Sequence, residues 1–326
     1  MAEVVTVLLS NGVRMPVIGF GLAAEDVMIS KGSAPVDHIK ASVLTAIQVG
    51  YRTFDTASAY FTEGILGESL KDAFEKGMVS REDVFVTSKL FPGDSYPQDV
   101  IPALRKSLEK LKLEYLDLYL IHIPAALRKG VVYPHITPDD VVAMDLQGVW
   151  RAMEQCVELG LTKAIGVSNF SSKKISDLLA FSRIPPAVNQ VQMHPNWQQK
   201  KLREYCKSVN IHVSAFSPLG GPGNSWGSNN VLDNPVIKEI ANKHFKTPAQ
   251  VVLRWGIENG VSVMTKSFNP TRISENFQVF NWKLDEEDHE KINNIRQQRI
   301  EFMEKIFVNP INGPFKTAEE LWDGEI

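Results

Sequence analysis

Short apolar runs alternate with amphipathic segments along most of the chain. Strand-like runs include FDTA, DVFVTSKL, YLDLYLIH, TKAIGVSNF, AVNQVQM, HVSAFSPLG and VSVMTKS, and the segments between them, such as EGILGESLKDAFEKG, DLQGVWRAMEQCVELG and KKLREYCKSVN, have helical spacing. With VIGFG as the first strand, the pattern predicts about eight strand–helix units. Such repeats imply parallel strands covered by helices, and eight of them in about 250 residues favour a closed (β/α)8 barrel.

The opening segment, VTVLLSNGVRMPVIG, predicts a β-hairpin ahead of the barrel. Two β-rich runs flank Ser10-Asn11-Gly12, and Asn-Gly is a strong two-residue turn signal. A length of 326 residues would allow two domains, but α/β barrels reach this size as one unit and no Pro/Gly/Ser-rich linker divides the chain. We therefore expect residues 1–326 to form a single domain.

Three longer irregular stretches break the alternation of strands and helices. They are residues 123–144, residues 220–231 and the tail after Gln297. Active sites of α/β barrels are built from loops at the carboxyl ends of the strands. We expect these stretches to form the walls of a substrate pocket, with an extended C-terminal loop over its mouth.

Polar residues stand at the ends of several predicted strands, where packing alone would favour another apolar residue. Asp55 closes YRTFD, Lys89 closes VFVTSK and His122 closes LDLYLIH, while Tyr60 follows Asp55 before the next helix. One such residue by itself would be read as a cap or a surface charge. Four at equivalent positions, with complementary chemistry, favour a shared functional site at the mouth of the barrel.

The segment from Gly19 to Ala24, GFGLAA, fits the G-x-G-x-x-A pattern of a dinucleotide-binding turn. That pattern requires a helix directly after it and an acidic residue at the end of a second strand. Residues 28–35 look irregular, and Asp37 precedes a helix instead of ending a strand. We therefore interpret the segment as the first barrel strand.

Composition and charge limit the classes of partner. The net charge is −3, and charges of both signs are spread along the chain without a basic block, so neither a nucleic acid nor a membrane is expected as a partner. No apolar run is long enough for a membrane span, and MAEVVTVLLSNG does not resemble a secretory signal. We expect a cytoplasmic monomer that acts on a small molecule, with Cys156 and Cys206 as buried thiols.

A metal site is not expected either. The histidines outside the strand-end group show no metal-ligand spacing with cysteines or carboxylates; they are His38, His135, His194, His212, His244 and His289.

The chain resembles the aldo-keto reductase family. The matching segments are GYRTFDTASAY, VFVTSKL, LYLIHIP, AIGVSNF, NQVQMHP, AFSPLG and TKSFNPTRISEN, which follow one another in the family's order between residue 16 and about residue 300. The resemblance implies a (β/α)8 barrel opened by an N-terminal hairpin, in agreement with the strand pattern. It also implies a catalytic tetrad of Asp55, Tyr60, Lys89 and His122.

The chemistry of this tetrad follows from the reaction that the resemblance implies. A ketone that accepts a hydride develops negative charge on oxygen, so a proton donor must stand there. A free tyrosine has a pKa of about 10, and we expect the Lys89 ammonium to lower the pKa of Tyr60. Asp55 would hold Lys89, and His122 would orient the carbonyl.

The resemblance implies NADPH as the cofactor. Ser168, Asn169 and Gln190 match positions that hold the nicotinamide carboxamide, and Phe216 replaces the Tyr that stacks on the nicotinamide ring in most relatives. Ser217 and Leu219 match the pyrophosphate loop. The adenosine end would be held by Lys266, Ser267, Arg272, Glu275 and Asn276.

The five residues assigned to the adenosine end could equally belong to the solvent-exposed start of a helix. Lys and Arg beside a Ser nevertheless suit the 2′-phosphate of NADPH, because a dianion requires charge-assisted donors. The position of the group after the last strand favours phosphate binding.

Two departures from the family concern the substrate. Ile123 follows the catalytic His and Phe91 lies two residues after the catalytic Lys, where many relatives have Trp. The smaller side chains at these two positions leave room in the pocket for a larger ligand. The segments GPFKTAEELWDGEI, IPPAVNQVQM and PDDVVAMDLQGVW resemble a plant branch of the family that contains codeinone reductases, chalcone (polyketide) reductases and enzymes that reduce an iminium, as in 1,2-dehydroreticuline.

The resemblance to that branch implies reduction of a C=O or C=N bond in a bulky plant metabolite, with a benzylisoquinoline or morphinan alkaloid as the expected substrate. A polyketide ketone is the first alternative. The second is a non-catalytic, NADPH-binding regulatory or structural subunit. The intact tetrad and phosphate-binding residues favour the enzyme.

Overall fold

The computed structural model describes residues 5–30 and 36–325. Its first element is the predicted hairpin, in which β1 (Thr6–Leu8) pairs antiparallel with β2 (Arg14–Pro16). Gly12 has a φ of +85°, a value that glycine adopts without the steric cost of a side chain. Leu9 and Met15 are buried against barrel residues such as Leu118, so the hairpin covers one end of the barrel.

Ten more strands follow in the described part of the chain. They are β3 (Ile18–Gly21), β4 (Thr53–Asp55), β5 (Phe85–Leu90), β6 (Leu116–Ile121), β7 (Ala126–Leu127), β8 (Val141–Val142), β9 (Thr162–Ser168), β10 (Val188–Gln192), β11 (His212–Phe216) and β12 (Ser262–Thr265).

All of these strands except β7 and β8 pair in parallel and form a closed barrel. The barrel closes where β12 pairs with β3, with Val263 opposite Ile18. The predicted (β/α)8 barrel is therefore confirmed. Because the strands are parallel, their carboxyl ends share one face, where Asp55, Lys89 and Ser168 lie.

Helices cover the outside and the carboxyl end of the barrel. In the described residues they are α1 (Glu25–Ile29), α2 (Asp37–Val49), α3 (Glu63–Glu75), α4 (Val100–Leu111), α5 (Leu146–Glu158), α6 (Ser172–Leu179), α7 (Lys200–Ser208), α8 (Pro235–Lys243), α9 (Pro248–Glu258), α10 (Pro270–Phe277), α11 (Glu286–Asn293), α12 (Glu304–Phe307) and α13 (Ala318–Trp322). Of these, the short helices α1, α12 and α13 lie at the carboxyl end.

The helix α9 shows how local sequence sets these boundaries. Thr247 accepts a hydrogen bond from the backbone N–H of Gln250, and the Gln250 side chain accepts one from the Thr247 N–H, while Pro248 occupies the first turn. Trp255, on its inner face, is fully buried. None of the helices in the described residues is long and apolar enough to cross a bilayer.

The segment after GFGLAA differs in part from the sequence expectation. Gly19 and Gly21 lie in β3, as expected for a barrel strand. The short helix α1, however, begins at Glu25, directly after Ala24, so Met28 is helical where an irregular stretch was expected. The buried side chain of Val27 and the acidic first turn stabilise this short helix. Residues 31–35 lie outside the described part of the chain.

The three irregular stretches meet at the carboxyl end of the barrel. Residues 123–144 contain the small ribbon β7–β8, in which Ala126 lies opposite Val142. The tail contributes α12 and α13, and its residues Met303, Phe307 and Leu321 form one buried cluster with Ile123. This packing places the tail beside the first stretch and over the barrel mouth.

Candidate active site

A buried ion pair lies at the bottom of the cavity in the barrel mouth. The Lys89 Nζ donates to Asp55 Oδ1 at 2.6 Å and to the backbone oxygen of Thr56 at 3.0 Å. The Lys89 side chain is only 1% exposed, so its charge depends on this carboxylate. Gln190 Nε2 donates to the other carboxylate oxygen of Asp55 at 2.8 Å, which fixes the carboxylate between two strands.

Tyr60 and His122 form the upper part of the same site. The Tyr60 Oη lies 3.3 Å from His122 Nε2, and the two rings meet edge to face with centroids 5.5 Å apart. The Lys89 Nζ is 5.0 Å from the centre of the Tyr60 ring. The four residues predicted from the strand ends therefore do come together, and Asp55, Tyr60 and His122 line the cavity while Lys89 lies behind Asp55.

Burial determines the direction of the tyrosine pKa. It raises the pKa of the Tyr60 phenol above the ordinary value and outweighs the Lys89 ammonium, which lowers it. The expected net lowering of this pKa is therefore wrong, although the lysine acts in the predicted direction. The reason is that the phenol lies in an apolar cavity, where desolvation disfavours the anion.

The other two titratable groups have fixed charge states near neutral pH. Burial lowers the pKa of the Lys89 ammonium, but Asp55 and Tyr60 together raise it by more, so the pKa ends above its ordinary value. Burial and the charge of Lys89 hold the pKa of His122 well below its usual range. Around neutral pH the site thus contains a phenol, an ammonium and a neutral imidazole, all suited to donate hydrogen bonds to an oxygen.

The residues expected at the nicotinamide carboxamide form a connected group beside the tetrad. The Ser168 Oγ donates to the Gln190 backbone oxygen at 2.8 Å. Asn169 Nδ2 donates to Ser168 Oγ at 3.1 Å and to the backbone oxygen of His122 at 3.0 Å. Since Ser168, Asn169 and Gln190 all line the cavity, a planar amide can reach their side chains next to His122.

Phe216, Ser217 and Leu219 lie on the next wall of the cavity. Phe216 ends β11 and is half-buried, so its ring offers an apolar face to a stacked heterocycle. Ser217 has a φ of +49°, a left-handed conformation that turns the chain away from the strand. The chain then continues through Leu219 into the loop of residues 220–231.

The residues expected at the adenosine end are more spread out. Lys266 lines the cavity and its Nζ lies 3.3 Å from Asn224 Oδ1. Ser267 is buried, and its Oγ accepts from the Asn269 N–H at 3.2 Å. Arg272 is exposed on the first turn of α10, and Glu275 is half-buried on the same helix. These four lie along one edge at the end of β12.

Asn276 is buried, and its side chain donates to Thr265 Oγ1 at 3.0 Å. This hydrogen bond links α10 to the end of β12. The sequence had not indicated that Asn276 makes a contact within the protein.

The cavity walls contain residues that the sequence did not single out. Phe91 and Ile123 line the cavity as expected, and the three irregular stretches contribute as predicted. The additional lining residues are mostly aromatic or apolar and come from α1, from the two loops and from the tail: Met28, Tyr133, Ile136, Trp226, Phe302, Met303, Ile306 and Phe307.

The ring of Trp226 lies 5.0 Å from that of Phe302, so the loop of residues 220–231 touches the tail across the mouth. An aromatic residue inside a polar loop, as in NSWGS, is the signal that could have identified Trp226 in the sequence.

The donor set of this cavity fits a nicotinamide dinucleotide phosphate. One end has amide and hydroxyl groups beside His122, the middle has the flat face of Phe216, and the far end has the cation Lys266. Arg272 lies beyond that end, exposed on the first turn of α10. Burial lowers the pKa of Lys266, whereas the carboxylates of Asp26 and Glu25 act to raise it. A cation in a partly buried cleft is a strong site for a phosphate group.

One cluster away from the cavity bears on the expectation of no metal. His244, Asp285 and Asp288 lie close enough together to share an ion, although their spacing in the sequence did not suggest it. The Lys243 Nζ lies 2.7 Å from Asp285 Oδ2 and 2.9 Å from Asp288 Oδ1. The Lys243 ammonium therefore bridges both carboxylates and would compete with a metal ion for them.

Fold and site together define an oxidoreductase barrel that uses a nicotinamide cofactor. The sequence model of the Aldo/keto reductase family matches residues 17–297. The chain belongs to this family and is an NADPH-dependent aldo-keto reductase.

Two plant proteins and one solved structure illustrate the relationship. The chain is 51% identical over 318 residues to the 7-acetyl-epi-neemfruitin B aldo-keto reductase of Melia azedarach, with 97% of this chain and 96% of that protein covered. It is 49% identical to NADPH-dependent codeinone reductase 1-4 of Papaver somniferum, with 97% of each covered. The aldo-keto reductase of Bombyx mori, solved in complex with NADP, superposes with a TM-score of 0.82 at 33% identity, over 95% of this chain and all of that one.

Proposed function

We propose that the enzyme reduces a C=O or C=N bond in a bulky plant specialised metabolite, with a benzylisoquinoline or morphinan alkaloid as the expected substrate. The observation that carries the proposal is the Tyr60–His122 pair, 3.3 Å apart, above the buried ion pair in a cavity whose walls are mainly apolar and aromatic. Such walls favour a large, flat, weakly polar ligand over a sugar. The similarity to codeinone reductase 1-4 supports an alkaloid.

NADPH, when bound, supplies the hydride. Ser168, Asn169 and Gln190 would hold the carboxamide, and Phe216 would support the ring. Arg272, Lys266 and Ser267 would hold the 2′-phosphate, because they bring cationic and hydroxyl donors to one edge. The roles of these residues are predictions from position and chemistry.

The tetrad would carry out the proton chemistry. The Tyr60 Oη and His122 would donate hydrogen bonds to a carbonyl oxygen, and the phenol would transfer its proton as the hydride arrives. The Lys89 ammonium, held by Asp55 at 2.6 Å, would then stabilise the tyrosinate that forms. Because this pair is buried, solvent screens the attraction between the Lys89 ammonium and the tyrosinate only weakly.

An iminium makes a different demand on the same residues. An N-alkylated iminium is already cationic and becomes a neutral amine by hydride transfer alone, so Tyr60 need not donate a proton. The Asp55 carboxylate would then act through its negative charge. The tetrad is compatible with reduction of either bond, so the bond that is reduced depends on which substrate the enzyme accepts.

The test is a screen of NADPH oxidation by the pure enzyme on four substrates: codeinone, an N-methylated iminium such as 1,2-dehydroreticuline, a polyketide ketone and the Melia azedarach enzyme's named substrate. We expect codeinone or the iminium to have the highest kcat/KM. Faster reduction of the polyketide ketone would overturn the alkaloid assignment. Binding of NADPH without turnover of any carbonyl would instead support a non-catalytic subunit.

Three further predictions concern the whole protein. A cytoplasmic location is supported by the buried, unpaired thiols of Cys156 and Cys206, which suit a reducing compartment. The monomeric state and the single domain over residues 1–326 stay predictions.

A further inference from the structure

Two acidic residues near the end of the described chain, Asp323 and Glu325, contact the start of helix α6. Asp323 Oδ2 accepts hydrogen bonds from the Ser171 Oγ and from the Lys174 Nζ. The same ammonium donates to the Leu321 backbone oxygen at 2.8 Å. The Lys174 and Asp323 side chains are 13% and 19% exposed, so the pair is shielded from solvent more than a surface salt bridge would be.

A second carboxylate strengthens the attachment. The two carboxylate oxygens of Glu325 accept from the Ser172 backbone N–H at 3.1 and 3.2 Å. This N–H is in the first turn of α6, where the helix dipole favours a negative charge. We call the contacts of Asp323 and Glu325 with residues 171–174 the C-terminal clasp.

The clasp is mechanically connected to the substrate cavity through α13. Trp322 Nε1 donates to Glu304 Oε1 at 2.8 Å, and the Arg299 guanidinium, which also pairs with Glu304, lies 4.2 Å from the centre of the Trp322 ring. Glu304 begins α12, which places Ile306 and Phe307 on the cavity wall.

The other end of the clasp adjoins the nicotinamide site. Ser171 lies two residues after Asn169, whose side chain lines the cavity and bonds the His122 backbone. The clasp therefore fixes the wall formed by the tail relative to the segment that carries Ser168 and Asn169.

We propose that Asp323 and Glu325 are positioning residues that set the preference of the reductase for bulky substrates. By holding α13, and through it α12, they fix the position of Phe302–Phe307 over the cavity mouth. A bulky substrate contacts this wall, whereas a small aldehyde reaches the tetrad without it. The inference rests on the proposed function, because it assumes a substrate large enough to touch the tail.

The test uses Asp323→Asn, with NADPH, on codeinone and on 4-nitrobenzaldehyde. Asn tolerates the left-handed backbone at this position, where φ is +52°, so the change removes the charge without straining the chain. We expect KM for codeinone to rise about five- to tenfold, less than a charge-assisted hydrogen bond made directly to the substrate would give, because the clasp acts only through α13 and α12. The kcat for codeinone, both constants for the aldehyde and the Kd of NADPH should stay near wild type.

Matched variants separate positioning from general stability. Asp177→Asn removes an exposed pair with Lys173 on the same helix and should change no kinetic constant. Lys174→Met should reproduce the codeinone effect, and Lys174→Arg, which keeps the charge, should retain most of the wild-type KM. An unchanged codeinone KM in Asp323→Asn, or equal losses for codeinone, aldehyde and NADPH, would overturn the inference.

Failure of the proposed function is visible in a different measurement. If the wild-type enzyme does not reduce codeinone, the alkaloid assignment fails. The clasp is then tested on the largest ketone that the wild-type enzyme does reduce, with the same expected split between large and small substrates.

Discussion

Three neighbouring side chains determine which proton the site can move. Tyr60 is a neutral phenol because burial raises its pKa, and His122 is neutral because burial and Lys89 lower its pKa. Lys89 carries a positive charge and forms an ion pair with Asp55. In this state the proton for a carbonyl oxygen comes from Tyr60, while His122 can donate a hydrogen bond without changing charge.

These directions predict a flat pH profile for ketone reduction. A histidine with an ordinary pKa of about 6.5 would produce an inflection near that pH, but the pKa of His122 lies well below it. The protonated phenol is lost only above the raised pKa of Tyr60, so kcat should stay constant from roughly pH 6 to 9 and fall at higher pH. A kcat profile of the NADPH-saturated enzyme checks this, and an inflection near pH 6.5 would contradict the assignment of a neutral His122.

Arg272 is expected to distinguish NADPH from NADH. A charge-assisted Arg–phosphate contact contributes roughly 1.5–3 kcal/mol. Arg272→Ala should therefore weaken NADPH binding about tenfold or more and hardly change NADH binding, as measured by fluorescence titration. Arg151→Ala, which removes an exposed arginine on the outer helix α5, is the matched control. Equal losses for both cofactors would show that the 2′-phosphate is bound elsewhere.

At the scale of residues, the sequence predicted which side chains lie close together, but not how their surroundings shift the pKa values. Asp55, Lys89 and His122 end or follow parallel strands, so their convergence follows from the fold class. The pKa of Tyr60 depends instead on desolvation by cavity walls that come from distant segments, including the tail. No local pattern around Tyr60 contains that information.

At the scale of elements, the strands were the most predictable part. The runs FVTSKL and LDLYLI form β5 and β6, and every position in them is buried because both faces of a barrel strand are covered. The short helix α1 was not predicted because five residues are too few to show helical periodicity.

Two glycines on α3 allow a direct test of helix packing. A Cβ on Gly67 would lie 2.5 Å from the Lys110 backbone oxygen and 2.7 Å from Leu111 backbone atoms, whereas a Cβ on Gly64 would have no atom within 4 Å. Gly67→Ala should lower the free energy of unfolding by about 1–3 kcal/mol, because α3 and α4 must move apart. Gly64→Ala should be neutral or stabilise by up to about 1 kcal/mol.

Thermal or urea unfolding of the two variants measures the difference. Similar stabilities for both would contradict the close approach of α3 and α4.

At the scale of the molecule, chain connectivity assembles the cavity from four separated regions. The short helix α1, residues 123–144, residues 220–231 and the tail meet only because the closed barrel brings the carboxyl ends of its strands together. The sequence predicted the last three regions as walls. It could not predict that Trp226 would meet Phe302, because that contact depends on how two irregular segments pack.

The tail is expected to carry substrate preference separately from cofactor binding. Phe302, Met303, Ile306 and Phe307 line the cavity, and these residues lie within the stretch 299–313. Replacing this stretch with that of the Melia azedarach relative should change the order of preferred substrates and leave NADPH affinity nearly intact. Steady-state kinetics on the four-substrate panel measure the change. An unaltered substrate profile would mean that the stretch only packs on the barrel.

The central claim is that Tyr60, supported by Lys89 and Asp55, donates the proton in NADPH-dependent carbonyl reduction. The most direct measurement is single-turnover NADPH oxidation by Tyr60→Phe and the wild-type enzyme, on codeinone or on the ketone that the wild type reduces fastest. An N-methylated iminium serves as the substrate that needs no proton. We expect the ketone rate to fall about 10²–10⁴-fold, with NADPH binding and the iminium rate near wild type. A ketone rate near wild type in Tyr60→Phe would contradict the account.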